Sequence, residues 1–269
     1  MLFRSIRQAS LTALCIADPT HKVTSVQSLW ESHHEMAICP DELLQLPHLA
    51  TLPGRPTLPR LIPPMQVPSR TPFTPEGLAS LLHAVCHIEF NAINLALDAV
   101  WRFHGMPDSY YTDWLRVAYE ESQHFELLCT HLKSMGYAYG DFDAHDGLWQ
   151  MCERTSEDVI ARMALVPRTL EARGLDATPL IQAKLIKVAT PAAKRAVEIL
   201  DIILCDEVGH VAIGNHWYRW LCDQRALDPV ALYAELVQRY DAPKHKPPFN
   251  QEARLRAGFT EVELSYLLG

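Results

Sequence analysis

The sequence predicts an all-α protein: a four-helix bundle with a proline-rich N-terminal arm and short C-terminal helices. Three observations predict it. Apolar residues recur at spacings of three and four over long stretches bounded by capping residues, prolines and glycines. No stretch shows the alternation of a half-buried strand. Ten prolines crowd positions 40–75, a density incompatible with long helices.

Residues 1–39 carry helical periodicity, as in "VTSVQSLWESHHEMAI". The prolines that follow favour extended, polyproline-like chain, read as an arm that wraps the core. The first long helix starts at Pro75 with Thr74 as N-cap and closes at Gly105. The second runs from about 108 to 134, and Gly136 supplies a left-handed C-terminal residue. A turn-rich connection, "GYAYGDFDAHDGLWQ", follows. The third helix spans 151–173, kinks at Pro167 and stops at Gly174. Pro179 starts a shorter helical piece, and Pro191 starts the fourth long helix, which reaches about 224. Two short helices close the chain. Asn250 reads as the N-cap of one, and Thr260 with Glu263 makes a capping box for the last. The chain thus divides into a helical segment and arm over 1–74, a bundle over 75–226 and a helical extension over 227–269.

Composition narrows the function classes. With 269 residues, 48% of them hydrophobic, the chain can bury a substantial core. It contains no run of about 18 apolar residues, so no membrane span is expected, and its start lacks the apolar region of a secretory signal. A net charge of −8 argues against a broad nucleic-acid surface, while leaving room for a local basic patch that could meet tRNA. Seven cysteines without a Cys-x-x-Cys pair read as reduced, mostly buried thiols of a cytoplasmic protein.

The chemistry lies in a motif written twice, acid-Glu-x-x-His: "EESQH" at 120–124 and "DEVGH" at 206–210. Random placement of 17 Glu and 13 His in this chain gives roughly 0.8 Glu-x-x-His matches, so one copy carries no weight. A third copy, Glu31–His34, lies in a polar run and is assigned to chance. The other two occupy apolar helix seams. Trp114, Val117, Glu121, His124 and Leu128 share one seam; Leu200, Ile203, Glu207, His210, Gly214 and Trp217 share another. The same stepping puts Glu89 in line with Leu82, Val85, Ala92 and Ala96, and Glu171 in line with Ile160, Ala164 and Pro167. Glu153 and Glu157 precede that apolar face and read as solvated.

Carboxylates on apolar seams are costly unless a cation meets them. Buried Arg or Lys partners are one solution, but few stand on these faces. Glu89 and Glu121 lie 32 residues apart and Glu171 and Glu207 lie 36 apart, as in two helix hairpins joined by a crossover. Each hairpin supplies one Glu, then one Glu-x-x-His, which is the ligand arrangement of di-metal carboxylate bundles. Four carboxylates and two imidazoles balance two divalent ions, and an oxygen and nitrogen set suits two iron ions, or manganese, or a mixed Fe/Mn pair. The preceding acids, Glu120 and Asp206, are candidates to orient the ligand rings crosswise, Asp206 on His124 and Glu120 on His210. Helix-surface acids are the plain alternative for both. His83, His87 and His131 read as satisfied structural histidines.

These stretches, with "HAVCHIEFNAINLALDAVWRF", "RMALVPRTLEARGLDATP" and "KPPFNQEARLRAGF", resemble the ferritin-like superfamily, and more closely the bacterial domain of unknown function 455 family. The resemblance covers most of residues 75–260 and strengthens Glu171, because "LEARGLD" stands where that family places its third-helix ligand. It implies a ferritin-like bundle and a di-metal site on Glu89, Glu121, His124, Glu171, Glu207 and His210. It supplies no reaction. The leading expectation is a di-iron oxidoreductase that acts on a small-molecule substrate with dioxygen or peroxide, with an external electron donor possible, as a monomer or homodimer. Trp101, Trp114, Tyr119 and Trp149 would line its cleft, or would simply be core. Ferritin-like iron handling is the second expectation. A metal-stabilised binding scaffold is the third, with the basic "APKHKPPFN" as a candidate binding segment.

Overall fold

The computed structural model of the chain describes residues 5–46, 51–244 and 246–268. Among these the fold is all-α. Their β pairing is limited to two isolated bridges, Ser5 with Ala37 and Leu61 with Ala144. The chain divides into two compact units, Met1–Trp149 and Gln150–Gly269.

In the first unit, α1 (Ile6–Leu14) and α2 (Pro19–Ser32) start from side-chain caps, Ser5 and Asp18, which accept the Gln8 and His21 N–H groups. α3 (Pro75–Arg102) starts as the sequence predicts, with Thr74 accepting the Gly77 N–H and proline in the first turn. α4 (Asp108–Ser134) ends at Gly136, which holds φ +83°. The short link between them forces α3 and α4 into an antiparallel pair, packed along their lengths. α1 lies on α3, and α2 lies on α4.

The proline-rich arm carries no α-helix over its described residues, only turns, bends and one 3-10 turn at Pro64–Gln66, and Pro47 falls outside them. Buried cations tie it to the helices of this unit. The Arg7 guanidinium donates to the carbonyls of Cys39, Pro40 and Glu42 in the arm and of Val100 and Trp101 in α3. Lys22 Nζ donates to Leu14 O, Gly54 O and Asn94 Oδ1. Gly54 N–H donates to Leu14 O at 2.8 Å, an approach that excludes a side chain, since a β-carbon there would stand 2.2 Å from Cys15 O. Farther along, Arg60 pairs with Asp143 at 2.7 Å and Arg55 with Asp146 at 2.6 Å.

The second unit departs from the predicted third helix. Instead of one helix over 151–173 there are α5 (Gly147–Arg154), a break, and α6 (Val159–Leu165), which restarts on Asp158 as N-cap to Ala161 N. A π-helical segment, Val166–Glu171, follows where the kink was expected, and α7 (Ala172–Val188) runs through both Gly174 and Pro179. Gly174 only weakens a helix, and its neighbours Ala172 and Leu175 are fully buried, so packing overrides propensity. Pro179 has no N–H for Leu175 O, but Asn250 Nδ2 donates to that carbonyl at 3.2 Å. The helix therefore continues where the sequence alone suggested a restart.

α8 (Pro191–Gln224) matches its predicted limits. Three short helices close the described chain where two were predicted: α9 (Pro229–Arg239), α10 (Gln251–Arg256) and α11 (Glu261–Leu268). Asn250 caps α10 through Ala253 N. The predicted capping box holds as well: Thr260 N–H donates to Glu263 Oε2 at 2.7 Å, and Glu263 N–H to Thr260 Oγ1 at 3.2 Å. His245 of the basic segment lies outside the described residues.

Candidate metal centre

Within the first unit, α3 and α4 bring Glu89, Glu121 and His124 together. Their seams bury them to 2%, 0% and 1% exposure, among Leu82, Ala92, Val117 and Leu128. His124 Nδ1 lies 3.3 Å from Glu89 Oε2 and 3.2 Å from Glu121 Oε2. One ligand atom from each of the three lies within 4.8 Å of the other two. Burial, and then the like charge of Glu121, push the Glu89 carboxyl up to about 8. Two carboxyls and an imidazole crowded in a dry interior favour a shared proton or a cation. The chemistry of this donor set therefore fits a metal ion.

In the second unit, Glu207 and His210 stand one turn apart on the buried face of α8, with His210 Nδ1 4.0 Å from Glu207 Oε2. Glu171 is also buried, as the last residue of the π-helical segment. That segment is held from several sides. Pro167 packs against Gly214 of α8, where a β-carbon would stand 2.5 Å from Pro167 Cβ. Thr169 Oγ1 donates to Ala164 O at 2.8 Å and meets Tyr233 OH at 2.8 Å. Arg168 pairs with Glu263 at 2.7 Å, donates to Asn215 Oδ1, and lies over the rings of Tyr218, Tyr233 and Phe259. The C-terminal helices thereby fix the backbone that carries Glu171.

Glu120 and Asp206 are half-buried on their helices, and Glu153 and Glu157 are exposed. The three histidines kept out of the ligand set are buried. His83 Nε2 accepts the Gly140 N–H at 2.9 Å. His87 meets Tyr139 OH at 2.9 Å and Asn91 Nδ2 at 3.0 Å, and His131 meets Ser134 Oγ at 3.3 Å. Trp101, Trp114 and Trp149 are buried, and Tyr119 stacks on Trp30. All seven cysteines are free thiols, but only Cys86, Cys152 and Cys222 are buried, which corrects the expectation that most would be. Cys205, for example, is exposed on α8.

Sequence reasoning singled out Glu263 only as a capping residue and missed Arg168 and the ion pair between the two. Arg168 stands next to Pro167 on the seam, and a basic residue there was a readable sign of a buried ion pair.

The chain belongs to the family described as "Protein of unknown function (DUF455)", which matches residues 15–265. It is similar to a Haemophilus influenzae protein described as "Uncharacterized protein", at 47% identity over 268 residues, covering 95% of this chain and 91% of that relative. No solved structure matches it. Among the described residues, no helix is long and apolar enough to cross a membrane. The chain thus carries buried groups of acidic and histidine side chains that could bind a metal.

Proposed function

We propose that this chain is a ferritin-like di-metal carboxylate protein, an oxidoreductase that uses dioxygen or peroxide to oxidise or hydroxylate a small molecule. The buried Glu89–Glu121–His124 cluster carries the reading. The repeat of Glu-x-x-His on α8, with Glu171 on the π-helical segment, supports it. Glu89, Glu121, His124, Glu171, Glu207 and His210 would hold two ions, iron or manganese. Bound in this way, the pair would supply an oxygen-activating redox centre.

The residues have separate tasks. The four carboxylates would offset the charge of the ions. His124 and His210 would each supply a nitrogen ligand. Asp206 and Glu120 are the candidates to orient these rings and fix their tautomers. The apolar seams around the ligands keep bulk water from the centre and so strengthen every charge interaction there.

Elemental analysis of protein purified from its own host tests the proposal. About two iron or manganese ions per chain are expected, with fewer in Glu121→Ala and in Glu207→Ala. A wild-type chain that takes up neither metal under any loading condition would sink it. Sizing chromatography separates the enzyme reading, which expects a monomer or dimer, from iron storage, which needs a many-subunit shell. Normal cellular function of Glu121→Ala would favour a binding scaffold instead.

A further inference from the structure

α3 and α4 bring two cysteines into contact. Cys86 and Cys129 are both free thiols, and their Sγ atoms lie 3.5 Å apart. Their surroundings differ. Cys86 is fully buried and points toward Phe125 O at 3.9 Å, whereas Cys129 is partly exposed. A disulfide requires an S–S distance of about 2.05 Å, so the sulfurs need to close by roughly 1.5 Å, a small step beside the travel between side-chain rotamers. A partly exposed cysteine beside a fully buried one is the arrangement in which a first oxidation at the outer residue is resolved by the inner one.

We propose that Cys86 and Cys129 form a redox-active dithiol that hydrogen peroxide converts into a disulfide linking α3 to α4. The Cys129 sulfur, as thiolate, attacks one peroxide oxygen. An S–O bond forms, the O–O bond breaks, and the hydroxide released takes up a proton to become water. Cys129 is then a sulfenic acid. The Cys86 sulfur attacks it, the S–S bond forms and the S–O bond breaks. The departing hydroxide leaves as a second water with the Cys86 proton. Two thiols thus lose two electrons and two protons, and one peroxide becomes two waters. An external dithiol reverses the link by exchange. Burial and the neighbouring sulfur push the Cys86 thiol well above its usual range, in keeping with its role as the resolving rather than the attacking partner.

The pair has a defined address. Cys86 precedes Glu89 by one helical turn, and Cys129 follows His124 on the same α4. The link would therefore clamp the two helices that carry Glu89, Glu121 and His124, whether or not a metal is bound there.

Peptide mapping of the full-length wild-type protein tests the proposal. The protein is treated with one equivalent of hydrogen peroxide in the presence of a chelator, quenched in acid and denatured in N-ethylmaleimide. Cys86 and Cys129 are expected to lose maleimide labelling together. They should yield one linked peptide about 2 Da lighter than the two thiol peptides combined, and dithiothreitol should restore both. In Cys86→Ser, dimedone should trap Cys129 as its sulfenic acid. In Cys129→Ser, Cys86 should stay a thiol. The exposed Cys39 and Cys205 serve as internal controls. If these two are oxidised while Cys86 and Cys129 remain fully labelled, the proposal is overturned. It is equally overturned if wild-type Cys129 accumulates sulfenic acid without a link to Cys86.

Discussion

Gly214 and Pro167 touch where no side chain fits: a β-carbon on Gly214 would stand 2.5 Å from Pro167 Cβ and 2.6 Å from Pro167 Cγ. Gly214 lies one turn beyond His210 on α8, and Pro167 opens the first turn of the π-helical segment that ends at Glu171. Gly214→Ala should push that segment off α8. A loss of about 1–3 kcal/mol is expected by denaturant unfolding, larger than the gain in helix propensity that alanine brings. A more stable variant would show that the segment yields freely.

Two carboxylates share the buried face between α3 and α4, and replacing one with its neutral isostere separates the repulsion from the metal reading. Glu121→Gln removes the like charge beside Glu89 while preserving shape. Above pH 8, where Glu89 would also ionise, the metal-free variant should gain about 1 kcal/mol over wild type in chemical unfolding. Iron(II) should raise the melting temperature of wild type more than that of the variant. Equal iron responses would remove Glu121 from the ligand set.

His83 sets a pH dependence whose sign follows from its hydrogen bond. Its Nε2 accepts the Gly140 N–H, so that nitrogen must be unprotonated in the folded state. Burial lowers the imidazole from 6.5 to about 4, outweighing the opposing charge of Asp141. Between these values the unfolded chain binds a proton that the folded chain does not. The stability is fully present above pH 6.5 and is lost as the pH falls toward 4, by about 2–3 kcal/mol from this group. Chemical unfolding across that range should show the slope, and His83→Gln should reduce it, leaving the share of His87, which burial also lowers to about 4. An unchanged slope would assign the acid sensitivity elsewhere.

Asn250 acts twice. Its Oδ1 accepts the Ala253 N–H at the start of α10, and its Nδ2 donates to the Leu175 carbonyl that Pro179 cannot reach. Asn250→Ala should cost about 1–2 kcal/mol. Pro179→Ala restores the backbone donor for Leu175 O, so Asn250→Ala should cost less in that background. A double-mutant cycle measures the difference, and strict additivity would contradict the shared carbonyl.

The all-α class was legible because periodicity, caps and glycine stops agreed over α3, α4 and α8. The positions of Glu89, Glu121, His124, Glu207 and His210 on apolar seams were legible for the same reason. A helix with a known start assigns each residue to a face, and no neighbour is needed for that step. The burial of all five follows from those faces.

The sequence by itself determined the helices, their buried faces and the paired Glu-x-x-His pattern. Only the tertiary structure decided the run from 147 to 188. Gly174 and Pro179 are local stop signals, but buried Leu175 and the side chain of Asn250, distant in sequence, overrode them. It also decided the π-helical segment that ends at Glu171, where Gly214 of α8 meets Pro167 and Glu263 of α11 meets Arg168, and the contact of Cys86 with Cys129. Local signals reach one helical turn along the chain. Exchange of a lost backbone donor for a remote side chain, or contact between two sulfurs, depends on which helices meet and is fixed only when they pack.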